Sequence, residues 1–142
     1  MRLIASSING GKNWHNMYIS NVLPDGPKNS DYGLMAGLDR IPYAKQDILI
    51  FSNVDSDNER ENGMIWVSFD AGMTWPLKKS IDKGKFKYSS IAVGRENTPS
   101  EGFIYLLYEF GDLKNNYAGA KIAKFNMSWI LEGKEIDNFI KQ

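Results

Sequence analysis

The sequence predicts an all-β fold assembled from repeated antiparallel hairpins, and three observations carry that prediction. The stretch Ser68-Phe69-Asp70-Ala71-Gly72-Met73-Thr74-Trp75 has the composition of a tight turn between two strands. Its Asp carboxylate can fold back onto backbone N–H groups, its Gly supplies a left-handed conformation that a Cβ would strain, and its Trp pins the turn by burying a large ring. A second copy, Ser7-Ile8-Asn9-Gly10-Gly11-Lys12-Asn13-Trp14, lies 61 positions earlier, with Asn in place of Asp as the side-chain acceptor. Two turns of one type at such a spacing point to an internal repeat of supersecondary units, as in a propeller or array. The third observation is strand-like alternation on both sides of the later turn, Met64-Ile65-Trp66-Val67 leading in and Pro76-Leu77-Lys78-Lys79-Ser80-Ile81 leading out.

The elements follow in order. Arg2 to Ser6 is expected as a strand entering the first turn, with His15 to Asn21 as its hairpin partner, so that 1–21 forms half of a four-stranded blade. Val22 to Ser30 is dense in Pro, Gly, Asn and Asp and marks a crossing loop. A full blade is expected over 30–82: strands at Tyr32 to Leu38, Asp47 to Asn53, Met64 to Phe69 and Leu77 to Ile81. The second of these is nearly continuous in apolar residues, as a central strand is. A last blade lacking one strand is expected over 88–126, with strands at Tyr88 to Val93, Phe103 to Glu109 and Ala120 to Phe125. Residues 127–142 form a C-terminal cap, with a short helix over Ser128 to Lys134. Two strands, then four, then three do not close a propeller, and raw sheet edges invite pairing with another chain. The sequence therefore predicts a fragment of a larger propeller, beginning in mid-fold, with self-association through the open edges as the alternative way of covering them.

Bulk composition sets outer limits. With 142 residues, 42% of them hydrophobic, the chain has the length of one domain and ample material for a core. Lys plus Arg and Asp plus Glu each number 17, so no net field draws nucleic acid or an acidic membrane, and any anion site must be local. The absence of cysteine removes disulfides, thiolate metal sites and thiol nucleophiles, and leaves the redox compartment unread. The run from Met1 to Ser7 is far too short for a signal peptide's apolar core or a membrane span.

The turns resemble the Asp-boxes of sialidases and related β-propellers. Residues downstream narrow the resemblance to the C-terminal part of the bacterial exo-α-sialidase (neuraminidase) catalytic domain: Phe51-Ser52-Asn53, then Arg60, then Ser68 to Trp75, then Tyr88-Ser89-Ser90, then Leu107-Tyr108-Glu109. Arg60 and Tyr88 stand 28 positions apart, and the ordered set covers almost the whole chain. The resemblance implies about two to two and a half blades of a six-bladed propeller, a carbohydrate-metabolism function on sialylated glycans, no cofactor, no metal, and a secreted, periplasmic or cell-surface location.

It also implies roles. Sialic acid carries a carboxylate on its anomeric carbon, and a planar guanidinium matches that group in a bidentate pair. The family uses three arginines for this clamp, and Arg60 matches the third. A carboxylate nucleophile would be repelled by the substrate's own charge; the family uses a tyrosine, an exception to the two-carboxylate pattern of retaining glycosidases, and Tyr88 matches it. A phenol needs an adjacent base and a cationic neighbourhood to act so. Glu109 ends an apolar strand, where a charge is costly unless paired, and matches the glutamate that orients the first arginine. The first two arginines, the aspartate acid/base and the glutamate that activates the tyrosine belong to sequence N-terminal to Met1, so the chain is expected to be inactive alone.

Other residues read as structural. His15, the single histidine, follows a turn and has no partner at metal-ligand spacing. Asp55, Asp57, Glu59 and Glu61 alternate as in a calcium loop but lack its Gly and distal Glu. Trp14 and Trp75 belong to the turns, and Arg2 falls just past a clamp position. Gly94 to Gly102 is an insertion in a loop, not in a strand. Two alternatives stay open: a non-catalytic Asp-box segment that binds glycans or proteins, and a trans-sialidase that transfers to another sugar or to the substrate's own hydroxyl.

Overall fold

The computed structural model describes residues 2–27, 33–43, 46–112 and 114–140. It is all-β with two short terminal helices. A two-stranded antiparallel sheet, β1 (Leu3–Ser6) with β2 (His15–Ile19), precedes a six-stranded antiparallel sheet in simple sequence order. That sheet comprises β3 (Gly37–Tyr43), β4 (Gln46–Val54), β5 (Glu61–Ser68), β6 (Leu77–Val93), β7 (Phe103–Phe110) and β8 (Gly119–Asn126). Helices α1 (Met127–Leu131) and α2 (Asp137–Ile140) follow.

Both turns close by the same two backbone-to-side-chain hydrogen bonds, and the later one adds a bond from the Thr74 hydroxyl. In the later one Gly72 N–H donates to Ser68 Oγ at 2.8 Å, Thr74 N–H to Asp70 Oδ1 at 2.8 Å, and Thr74 Oγ1–H to Asp70 Oδ2 at 2.7 Å. In the earlier one Gly11 N–H donates to Ser7 Oγ at 2.9 Å and Asn13 N–H to Asn9 Oδ1 at 3.0 Å. Each turn needs two successive left-handed residues, Gly10 and Gly11 (φ 68° and 84°) or Ala71 and Gly72 (φ 60° and 90°). Glycine meets that need without strain, while Ala71 adopts it at some cost. Trp75 packs edge-on to Phe51 with ring centroids 6.1 Å apart, whereas Trp14 is 61% exposed.

Strands β4 and β5 are buried on both faces, their alternating side chains entering two different cores. Ile48, Ile50, Ile65 and Val67 face the main core, which they share with Phe86, Ile91, Ile104 and Leu106. Phe51 and Trp66, cross-strand partners, face a second core with Leu23, packed from outside by Ile4 and Trp75. This two-sided burial is why β4 reads as an unbroken apolar run.

The largest departure from the strand expectations is β6. Leu77–Ile81 and Tyr88–Val93 are not separate strands but the two halves of one 17-residue strand. The first half pairs with β5 and the second with β7, with register shifts on both sides of the bend. The bend folds the two halves of the sheet face to face over the main core. Val93 N–H reaches Asp39 Oδ2 on β3 at 2.7 Å, and Gly37 lies so close to Ile91 that a Cβ there would stand 2.7 Å from its backbone nitrogen. The first strand of the large sheet starts later than expected, at Gly37, and runs through Pro42. It is an edge strand, where glycine and proline are tolerated. Tyr32, the expected start, falls outside the described residues.

The alternating acids fall in and just after the connection Asp55–Arg60 between β4 and β5, and the insertion after Gly94 lies wholly between β6 and β7, closed by Gly94 N–H to Phe103 O at 2.8 Å. The expected helix at Ser128 to Lys134 is one turn, capped by Asn126 accepting from Trp129 N–H and stopped by Glu132 in a left-handed conformation. Arg2 is not free: it pairs with Asp25 at 3.0 Å and donates to Leu34 O at 2.7 Å, tying down the crossing loop.

Candidate active site

The strand order brings the loop before β5 against the middle of β6. Phe86 N–H donates to Arg60 O at 2.9 Å, so the arginine's backbone is fixed two residues from Tyr88. Its guanidinium carbon lies 5.4 Å from the Tyr88 ring centroid, over the ring. Tyr88 is 39% exposed. Of the three sequence-predicted residues, the structure thus brings Arg60 and Tyr88 into direct contact.

Glu109 lies on the neighbouring strand. Ser89 pairs with Tyr108 and Ser90 with Leu107, so Leu107, Glu109 and Tyr88 project from one face of the sheet while Tyr108 projects into the core. A register shift between Phe86 and Ser89 sets Tyr88 at a β-bulge, a device that re-aims a side chain near a site. Glu109 is half-buried.

Beside Arg60 opens a cleft of about 550 Å³ lined by Glu59, Arg60, Lys85, Asp112, Lys114 and Asn116. Its far wall is the loop after β7, where Asp112 Oδ1 accepts the N–H groups of Lys114 and Asn115 at 2.7 and 2.6 Å. Those two bonds hold the Asp112 carboxyl below the ordinary carboxylate range. Among the described residues no group of three or more His, Cys, Asp or Glu is arranged to hold a metal ion.

Sequence reasoning missed the lysines. Lys78 pairs with Asp55, and Lys85 pairs with Glu59 and lies 3.6 Å from Glu61, so three of the four alternating acids meet cations of β6. The register explains the pairing, because Glu61 and Lys85 are cross-strand partners, and it is not readable from the sequence. It also missed Tyr108, whose hydroxyl donates to Asp82 Oδ2 at 3.0 Å while Lys121 pairs with the same oxygen at 3.1 Å.

Fold, paired turns and strand order define the class: the chain is part of an Asp-box β-propeller. Within that class it is a homologue of the sialidases. It is 31% identical over 131 residues to a sialidase of Micromonospora viridifaciens, a match covering 91% of this chain and 18% of that protein. No protein-family model matches the chain. The fold superposes on a leech intramolecular trans-sialidase complexed with 2,7-anhydro-Neu5Ac (TM-score 0.67, 22% identity, 90% of this chain and 20% of that one). It superposes equally on the intramolecular trans-sialidase of Ruminococcus gnavus (TM-score 0.67, 20% identity, 90% and 28%). A Hadza microbial sialidase gives a TM-score of 0.64 at 23% identity, over 89% of this chain and 23% of the other. The chain therefore spans less than a third of each relative.

Proposed function

We infer that the chain supplies part of the active site of a retaining exo-α-sialidase, which hydrolyses terminal sialic acids from glycoconjugates. Tyr88 is the nucleophile and Arg60 one arm of the carboxylate clamp. The observation that carries this reading is the guanidinium of Arg60 lying over the Tyr88 ring, 5.4 Å from its centroid. A ligand carboxylate held by Arg60 sits beside the phenol oxygen, and the cation favours the negative charge that the oxygen must develop to attack. Attack forms a bond from Tyr88 Oη to the anomeric carbon as the phenol proton passes to the activating glutamate and the bond to the aglycone oxygen breaks, that oxygen taking a proton from the aspartate acid; water, giving a proton back to the aspartate, then breaks the Tyr88 Oη bond and releases the sugar. Glu109 orients an arginine of the clamp from the adjacent strand. The other two arginines, the aspartate acid/base and the activating glutamate come from elsewhere in a six-bladed propeller, so this chain is inactive alone. In that propeller 1–21, 30–82 and 88–126 are a half blade, a full blade and a blade short of one strand, with 127–142 as a cap. The enzyme acts where sialoglycans are displayed, secreted, periplasmic or at the cell surface, and needs neither cofactor nor nucleic acid.

The test joins this chain to the N-terminal half of a related sialidase and follows release of a fluorescent sialoside. Tyr88→Phe should lower kcat by about a hundredfold or more, since a lost nucleophile removes an interaction made only in the transition state. Equal activity would remove Tyr88 from the role. Arg60→Lys, which keeps the charge but loses the planar fork, should raise KM by about tenfold with a smaller change in kcat. The products separate hydrolysis from transfer: free sialic acid for the first, a sialylated acceptor or an anhydro sugar for the second.

A further inference from the structure

Arg60 stands between two acids, Glu59 and Glu61, and an arginine side chain is long enough to fold back onto either. Among the described residues, however, no carboxylate forms an ion pair with Arg60. Both flanking acids turn to Lys85, which pairs with Glu59 Oε2 and stands 3.6 Å from Glu61 Oε2. Lys85 is delivered there by the sheet, as the cross-strand partner of Glu61 and the residue before Phe86, whose N–H holds Arg60 O. It is three residues from Tyr88 on the same strand. We propose that Lys85 is a positioning residue: by engaging Glu59 and Glu61 it leaves the Arg60 guanidinium unpaired over Tyr88 and open to a ligand carboxylate. The inference rests on Arg60 being the residue that receives that carboxylate.

The charge count supports the role. Glu59, Arg60, Glu61 and Lys85 sum to zero, so the group presents no net charge to a carboxylate approaching Arg60. Without Lys85 the group carries a net negative charge, and the two freed acids compete with the ligand for the same guanidinium. The other ionic residues on the cleft, Asp112 and Lys114, sit on its far wall, the Asp112 carboxylate already engaged by backbone N–H groups. The lysine therefore acts through the acids, which makes its effect reversible by removing them.

The test uses the 142-residue chain itself, labelled with nitrogen-15. The Arg60 Nε–Hε signal should carry a ring-current shift from Tyr88, identified by its loss in Tyr88→Leu. In Lys85→Met that shift should collapse as the guanidinium moves to Glu59 or Glu61. In Lys85→Met with Glu59→Gln and Glu61→Gln it should return, because the competing charges are gone. Affinity for N-acetylneuraminic acid, followed in the same spectra, should fall about fivefold in the single variant, the scale of a partly exposed ion pair, and recover in the triple variant. A shift that survives in Lys85→Met, or one that stays lost in the triple variant, overturns the proposal and gives Lys85 a purely structural role. So does failure of both variants to fold; if the single variant alone fails, a restored shift in the triple variant upholds it. A shift that is lost and restored with no sialic acid binding in any form upholds the positioning role, and the sialidase reading is then judged in the joined enzyme, where Lys85→Met should raise KM about fivefold and unchanged kinetics would remove Arg60 from the clamp.

Discussion

Asp70 and Asn9 occupy equivalent places in two turns that differ in one chemical respect: one acceptor is ionised and the other is not. Burial raises the Asp70 carboxyl, but hydrogen bonds from the backbone and side chain of Thr74, from Ser68 and from Met73 outweigh it and leave the pKa below its ordinary value. A group depressed in the folded state contributes stability that is complete above its unfolded pKa, near about 3.9, and is lost as pH falls through the folded value. Asp70→Ala should cost about 1–2 kcal/mol in urea unfolding at neutral pH, the worth of the acceptor bonds it removes. Asp70→Asn, which copies Asn9, should cost less and flatten the loss of stability below about pH 4. An acid limb as steep as the parent's would show that the turn's ionisation does not matter. Arg60 and Tyr88 were legible as candidates at this scale because their residue types and spacing carry the resemblance. Lys85 was not, because a lysine in a polar run declares nothing until its strand partner is known.

At the scale of the element, β6 decides the geometry of the candidate site, since it carries Lys85, Phe86 and Tyr88 through the bend where the sheet turns back. The bend is possible because Gly63, on the facing strand, has no side chain. A Cβ there would lie 2.0 Å from the Phe86 ring, which is fully buried and cannot step aside. Gly63→Ala should therefore destabilise the chain by about 2–3 kcal/mol, as overpacking of a closed core does, and shift the amide signals of residues 60 and 88 in NMR spectra. A stable variant with those signals in place would mean the bend has slack. Phe86 stacks in turn on Tyr108, with centroids 4.6 Å apart, and the Tyr108 hydroxyl meets Asp82 just before the bend. Burial, the hydrogen bond to Asp82 and its charge push the Tyr108 hydroxyl up to about 12. A raised folded value means the contribution is complete below the unfolded value near about 10 and is lost as pH rises toward the folded one. Ultraviolet titration should show one tyrosine ionising near pH 12 that disappears in Tyr108→Phe. The sequence showed strands on either side of this bend but not their continuity, because Asp82-Lys83-Gly84-Lys85 has the composition of a turn. Pairing to two different neighbours, a tertiary fact, keeps it extended.

Over the whole molecule, the same alternation that gives β4 and β5 two cores gives the ends of the chain one core and one open face. Leu107 and Ile122, cross-strand partners on the face that carries Tyr88, are 47% and 70% exposed; Leu3 and Ile19, partners in the small sheet, are 58% and 60% exposed. Apolar pairs of this kind belong under a neighbouring sheet, and the count of two strands, then four, then three already implied in the sequence that such a neighbour lies outside the chain. What the sequence did not show is how β8 handles its exposed edge. Lys121 and Lys124 lie 4.4 Å over Phe110 and 3.8 Å over Phe103, so the charges that would repel another strand are drawn onto rings of this one. The isolated chain should therefore associate as its concentration rises, through the face of Leu107 and Ile122. Ile122→Lys places a charge in the middle of that face and on the edge strand at once. Sedimentation velocity should show the parent's weight-average mass climbing with concentration and the variant's staying at that of one chain, with thermal unfolding of the dilute proteins unchanged because Ile122 packs against little. If the variant associates as the parent does, the contact lies instead at the small sheet, and Ile19→Lys should abolish it.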